Sequence, residues 1–157
     1  MTGNIIYKIA ETKSDFEEGK ELFREYAKSL GVDLSFQDFE KELKTIDQQY
    51  RQPDGGLIVA FKDEQPVGCA GIRKLDGEIT ELKRMYVKAE YRGFTIGVGL
   101  LKCSMKLAAE LGYKKIRLDT LKNMTKAQSL YQSFGFFEIP SYRFNPLEGT
   151  IYMEKDL

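Results

Sequence analysis

The stretch Tyr91-Arg92-Gly93-Phe94-Thr95-Ile96-Gly97-Val98-Gly99 decides how this chain is read. It follows a segment with strand character, 79–88, and opens one with helical periodicity. Downstream, Ile96, Leu100, Cys103, Leu107 and Leu111 fall on one stripe, with Lys102, Lys106 and Glu110 opposite. A strand that turns into a helix start aims unbonded N–H groups and the positive helix end at one point. Gly93, Gly97 and Gly99 put no side chain in the way. Arg92 adds a fixed cation able to bind phosphate oxygens. The combination suits a pyrophosphate. A glycine-rich turn with a solvated arginine explains the spacing as well, since glycine motifs recur by chance. Two phosphate motifs are excluded. No Lys-Ser or Lys-Thr follows the glycines, as a P-loop requires, and the stretch is not the G-x-G-x-x-G fingerprint of a βαβ unit at a chain start.

Working outward, 5–10 reads as a strand and Ser14 with Glu17 as the capping box of a helix that Gly31 ends. Ser35 with Asp38 suggests a second start, and Phe36, Phe39, Leu43 and Ile46 make that helix amphipathic. Strands over 57–62, 67–74 and 79–88 are joined by turns at 63–66 and Asp76-Gly77. A helix over 95–111, a strand over 115–121 and a helix carrying Ala127, Leu130, Tyr131 and Phe134 follow. Strands over 136–139 and 150–154 close the order β-α-α-β-β-β-α-β-α-β-β. Hairpins followed by a strand-helix-strand crossover predict one α/β domain over 1–157: a mixed sheet flanked on both faces by about four helices.

Composition narrows the chemistry. The 157 residues are 42% hydrophobic and 31% charged, with 24 basic and 24 acidic side chains. That balance gives no electrostatic footprint for nucleic acid or an anionic membrane. No apolar run approaches the ~20 residues of a membrane span, and 1–10 lacks the pattern of a signal peptide. The two cysteines, Cys69 and Cys103, have no metal or redox spacing and read as reduced thiols of a cytoplasmic protein. There is no histidine, which removes Ser-His and Cys-His nucleophile pairs and any His-ligated metal. No metal is expected.

Glu81-Leu82-Lys83-Arg84-Met85-Tyr86-Val87, followed by Glu90 to Gly97, resembles the strand and acyl-CoA loop of the GNAT superfamily of N-acetyltransferases. That loop has the pattern Gln/Arg-x-x-Gly-x-Gly/Ala. Arg92 fills its first position, Gly97 its last, and Thr95 stands in place of the middle glycine. Ala127-Gln128-Ser129-Leu130-Tyr131, then Gly135-Phe136, is similar to the family's Ala-x-x-Leu-Tyr-x-x-x-Gly-Phe helix. Met124 stands where an asparagine is common there, and Asn123 comes one place earlier. The motifs lie within 81–136; the element order agrees over nearly the whole chain.

The resemblance implies a soluble acetyl-CoA-dependent N-acetyltransferase with a V-shaped gap between the strand ending near Val87 and the strand around Leu118. Acetyl-CoA would lie there, its pantetheine along Met85, Tyr86 and Val87, where one N–H would face the thioester carbonyl. Its pyrophosphate would meet Arg92, Gly93, Phe94, Thr95, Ile96, Gly97, Val98 and Gly99, with Asn123 nearby. By its place before the loop Glu81 matches the family's general base, and Tyr131 its acid for the thiolate. Without the resemblance, Glu81 reads as a surface carboxylate paired with Lys83 or Arg84, and Tyr131 as a core aromatic. Neither cysteine has an activating base, so direct transfer in a ternary complex is simpler than an acyl-cysteine.

The acceptor is expected to be a primary amine of a small molecule or amino acid. A protein N-terminus or lysine, or a module that only senses acyl-CoA, remain alternatives. Acceptor contacts are expected near 36–39 and from Tyr142, Arg143, Phe144 and Asn145, which also read as a solvated hairpin turn.

Overall fold

The structure, a computed structural model, describes residues 4–31, 38–93, 95–143 and 149–157. In chain order the elements are β1 (Ile5–Ile9), α1 (Lys13–Leu30), α2 (Phe39–Lys44), α3 (Ile46–Gln49), β2 (Gly56–Lys62), β3 (Gln65–Asp76) and β4 (Ile79–Val87). A turn of 3-10 helix at Ala89–Tyr91 leads to α4 (Ile96–Glu110), β5 (Lys115–Leu121), α5 (Thr125–Ser133), β6 (Phe137–Ile139) and β7 (Thr150–Asp156).

The strands form one sheet in the order β1-β2-β3-β4-β5-β7-β6. Every neighbouring pair is antiparallel except β4 with β5, the parallel pair that α4 connects. β2 is buried on both faces, as alternation across a covered sheet requires. Its Leu57 and Val59 pack with Phe16, Leu22 and Phe23 of α1 and with Phe39, Leu43 and Ile46. Its Ile58 and Ala60 pack on the opposite face with Leu100, Leu101 and Leu107 of α4. Among the described residues, no helix is long and apolar enough to cross a membrane.

Two helix starts differ from expectation. The capping box of α1 is Thr12 with Asp15, not Ser14 with Glu17. The Asp15 N–H donates to Thr12 Oγ1 and the Thr12 N–H to Asp15 Oδ2, both at 3.1 Å. Lys8 Nζ, 3.0 Å from Asp15 Oδ1, ties that carboxylate to β1, an anchor that sequence spacing does not carry. The second helix is two short ones. Thr45 turns its Oγ1 back to the Lys41 carbonyl at 2.7 Å and leaves helical geometry, so α2 ends there and α3 begins. Ser35 and Phe36 lie outside the described residues; Asp38 flanks α2 without a side-chain cap.

Two departures from regular sheet position the site. The β4–β5 ladder pairs only Ile79 with Lys115, Thr80 with Ile116 and Glu81 with Arg117. Beyond Glu81, β4 runs on to Val87 and β5 to Leu121 without pairing each other, so the sheet splays between them. On its other side β4 takes an extra residue: Gly71 faces Lys83 but Cys69 faces Tyr86. Arg84, at φ 59°, is the left-handed residue within that bulge.

Candidate active site

Two adjoining cavities occupy the splay. The larger, about 760 Å³, is bounded by Met85, Tyr86 and Val87 of β4, by the turn into α4, and by Asn123 and the start of α5. The smaller, about 70 Å³, lies deeper, between Lys83 and Arg84 of β4 and Asp119 and Thr120 of β5. Tyr26, Met85, Met124 and Ala127 line both, so the two share a wall.

The α4 end of the larger cavity is a helix N-terminus. Its first helical backbone bond inside the turn is Gly99 N–H to the Thr95 carbonyl, 3.2 Å. The amides of Ile96, Gly97 and Val98 belong to the first turn and have no intrahelical acceptor. All three residues line the cavity, as do Arg92, Gly93 and Thr95. Thr95 sits at φ 61° and ψ 21°, the left-handed region that glycine adopts most readily, so a bulkier residue carries the turn here. Arg92 folds back: its Nε donates to the Val87 carbonyl at 3.1 Å, and its guanidinium lies 6.0 Å from the Tyr86 ring centre. It thus braces the cavity mouth and holds its cation beside the turn. Phe94 lies outside the described residues.

Gly99 does not line either cavity. A Cβ there would stand 2.0 Å from the Tyr7 hydroxyl, so this glycine admits β1 against α4 rather than a phosphate. Gly97 is the opposite case. A Cβ there would meet only Leu130, at 3.7 Å, and would otherwise occupy cavity space.

Tyr131, from α5, lines the smaller cavity and is 6% exposed. Burial pushes its phenol well above the ordinary value, so it stays a hydrogen-bond donor at every working pH. Lys83 lines the same space. Burial drives its pKa down to about 8, against the opposing pull of Glu81.

Glu81 is not a surface carboxylate. It is 1% exposed and lines neither cavity. Its Oε2 accepts from the Tyr142 hydroxyl at 2.7 Å and from Arg143 Nη2. Its Oε1 lies 3.8 Å from Arg73 Nε. Burial alone would raise its pKa, but Lys83 and Arg143 outweigh that and hold it below the usual carboxylate range. The Tyr142 and Arg143 contacts on its Oε2 would have to open for Glu81 to take a proton from an acceptor. Arg84 is not its partner. Arg84 binds Glu42, while Lys83 acts on Glu81 through its charge. Tyr142 and Arg143, readable as a solvated turn, instead fold inward over β4 and β5, with Arg117 5.3 Å from the Tyr142 ring centre. Phe144 and Asn145 lie outside the described residues.

Neither cysteine lines the cavities. Both thiols are free, and burial raises the pKa of each. Sequence reasoning missed Tyr26, Lys83, Asp119 and Thr120 as cavity residues. Nothing in the sequence marks Asp119, since it alternates with Lys115 and Arg117 on the same side of β5.

The splayed sheet and the helix-start turn define an acyl-CoA acyltransferase fold, and the comparisons agree. The model of the acetyltransferase (GNAT) family matches residues 17–136. An uncharacterised N-acetyltransferase of Schizosaccharomyces pombe is 35% identical over 157 residues, spanning 98% of this chain and 96% of that protein. One from Dictyostelium discoideum is 30% identical, spanning 90% and 94%. The crystal structure of a GNAT-family acetyltransferase from Staphylococcus aureus superposes with a TM-score of 0.80 at 25% identity, covering 98% of this chain and 99% of that one. This chain belongs to the GNAT family and is an N-acetyltransferase, a class that uses an acyl-CoA donor and an acceptor.

Proposed function

We propose that the protein transfers an acetyl group from acetyl-CoA to a primary amine of a small molecule or amino acid, by direct attack in a ternary complex. The observation that carries this reading is the continuity of the two cavities. A row of first-turn amides stands at one end and a buried phenol at the other, with the unpaired edge of β4 between them.

The larger cavity suits acetyl-CoA. Pyrophosphate oxygens would accept from the amides of Ile96, Gly97 and Val98, with Arg92, Gly93 and Asn123 beside them. Met85, Tyr86 and Val87 present the strand edge that the pantetheine arm would follow. An N–H on that edge would stabilise charge on the thioester oxygen. Tyr131 would donate to the sulfur as it departs. The bound donor supplies an activated acetyl group; the chain's residues orient it and handle protons. Tyr142 and Arg143, folded over Glu81, would border the acceptor's approach. The free thiols Cys69 and Cys103 support a cytoplasmic setting.

The test is a thermal melt with acetyl-CoA, followed by thiol release with a panel of amino acids and alkyl diamines. A rise in Tm with acetyl-CoA and amine-dependent thiol support the reading. No shift at millimolar acetyl-CoA would remove it.

A further inference from the structure

Among the described residues, Asp119 Oδ2 is the buried side-chain oxygen that accepts no hydrogen bond. It stands on β5, whose Ile116, Leu118 and Thr120 are buried, the first two in the core cluster with α4, while Arg117 and Asp119 alternate to the other side. Asp119 borders the smaller cavity beside Thr120 and across the splay from Lys83 and Arg84. A carboxylate oxygen kept from water without a donor costs free energy. A ligand that brings a donor into that space recovers the loss.

The shape and the charges limit what that donor is. A cavity of about 70 Å³ holds a small group, given that a water takes a share of about 30 Å³. Around Asp119 stand Lys83 and Arg84 from β4, Tyr26 from α1, Tyr131 from α5, and Tyr142 and Arg143 from the segment after β6. Arg84 is taken up by Glu42 and Arg143 by Glu81. The other two carboxylates near the splay, Glu42 and Glu81, are therefore engaged. Asp119 keeps one buried oxygen without a hydrogen bond, and the residue borders the same small cavity as Tyr131.

We infer that Asp119 receives the ammonium group of the acceptor and takes its proton as the nitrogen attacks the acetyl carbonyl. This rests on the acetyl-transfer reading above. The ammonium gives one proton to Asp119. The nitrogen lone pair forms the C–N bond, the C–S bond breaks and its electron pair goes to sulfur. The second proton lost by nitrogen accounts for the thiol, with Tyr131 bridging as donor. Asp119 then returns its proton to solvent, so each turnover releases one proton.

The experiment compares Asp119→Asn with the parent across pH, using the best acceptor from a panel of amino acids and alkyl diamines. At pH 7, kcat/KM for the amine falls about 10²-fold or more, the typical worth of a positioned base. The ratio of variant to parent recovers as pH rises toward the free-amine range near ~10. The rise in Tm with acetyl-CoA stays parental. Burial brings the Lys83 pKa down to about 8, so the ratio is measured again in a Lys83→Met background, where the recovery persists. A flat ratio near one in a folded variant overturns the inference while leaving acetyl transfer intact. A parent that acetylates no amine sinks the acetyl-transfer reading itself. If Asp119→Asn does not fold, Asp119→Glu replaces it: a lowered kcat with the parental pH profile supports the role, and an unchanged kcat overturns it.

Discussion

Arg84, the left-handed residue of the β4 bulge, is gripped by Glu42 of α2 through two bonds, Nη2 to Oε1 at 2.8 Å and Nε to Oε2 at 3.1 Å. Both side chains are buried, and the Tyr50 hydroxyl donates to the same Glu42 oxygen at 2.6 Å. Arg84 also lies 5.2 Å from the Phe39 ring centre. The pair ties the bulge, which lies just before the cavity-lining Met85 to Val87, to the helices on one face.

Glu42→Ala should therefore destabilise strongly. Removing one partner leaves a buried guanidinium uncompensated, at a cost of about 3–5 kcal/mol. Urea unfolding checks this. A loss under about 1 kcal/mol would mean that water or a rearrangement already solvates Arg84.

Glu81→Gln separates support from catalysis. Burial raises the Glu81 pKa, but Lys83 and Arg143 dominate and lower it. A lowered folded-state pKa adds stability above the unfolded value near ~4.3, and loses it as pH falls through the folded value. The variant should melt below the parent at pH 7, and the gap should close toward strongly acidic pH. Its pH–rate profile should run parallel to the parent's. Recovery of rate at high pH would return the base role to Glu81.

Two glycines of one turn should part company. Gly97→Val fills cavity space, so acetyl-CoA affinity falls while the circular dichroism spectrum is kept. Gly99→Ala drives a methyl into Tyr7, so stability falls by about 1–3 kcal/mol. Measured together, affinity tracks the first and melting temperature the second. Equal effects on both would mean that the turn acts as one packing unit.

Tyr131→Phe removes only the hydroxyl of a residue that lines the smaller cavity. Acetyl-CoA affinity should stay within a few-fold, kcat should fall by at least tenfold, and the defect should persist at high pH. Parental turnover with chemistry rate-limiting would reduce the tyrosine to a core aromatic against Phe136.

The turn that lines the larger cavity is legible in the sequence because it is local. A strand, a turn and a helix start within 79–111 carry the amides and the cation, and β5 is read to the residue. The surroundings of Glu81 and Arg84 are not local. Tyr142 and Arg143 reach Glu81 across 61 and 62 residues, and Arg84 reaches Glu42 across 42. Spacing says nothing about such pairs, so the partners that the fold gives Glu81 do not show in the sequence. Asp119 fails to stand out for a related reason. A polar residue on an alternating strand reads as solvent-facing until the neighbouring strand splays and the segment after β6 folds over.

The most direct test of the account is thiol release from acetyl-CoA, followed against a panel of amino acids and alkyl diamines with mass analysis of the amine. The account predicts release that depends on the amine and yields the amine one acetyl group heavier. Acetyl-CoA that stabilises the protein yet is never cleaved by any primary amine would contradict it, leaving a module that binds the donor without using it.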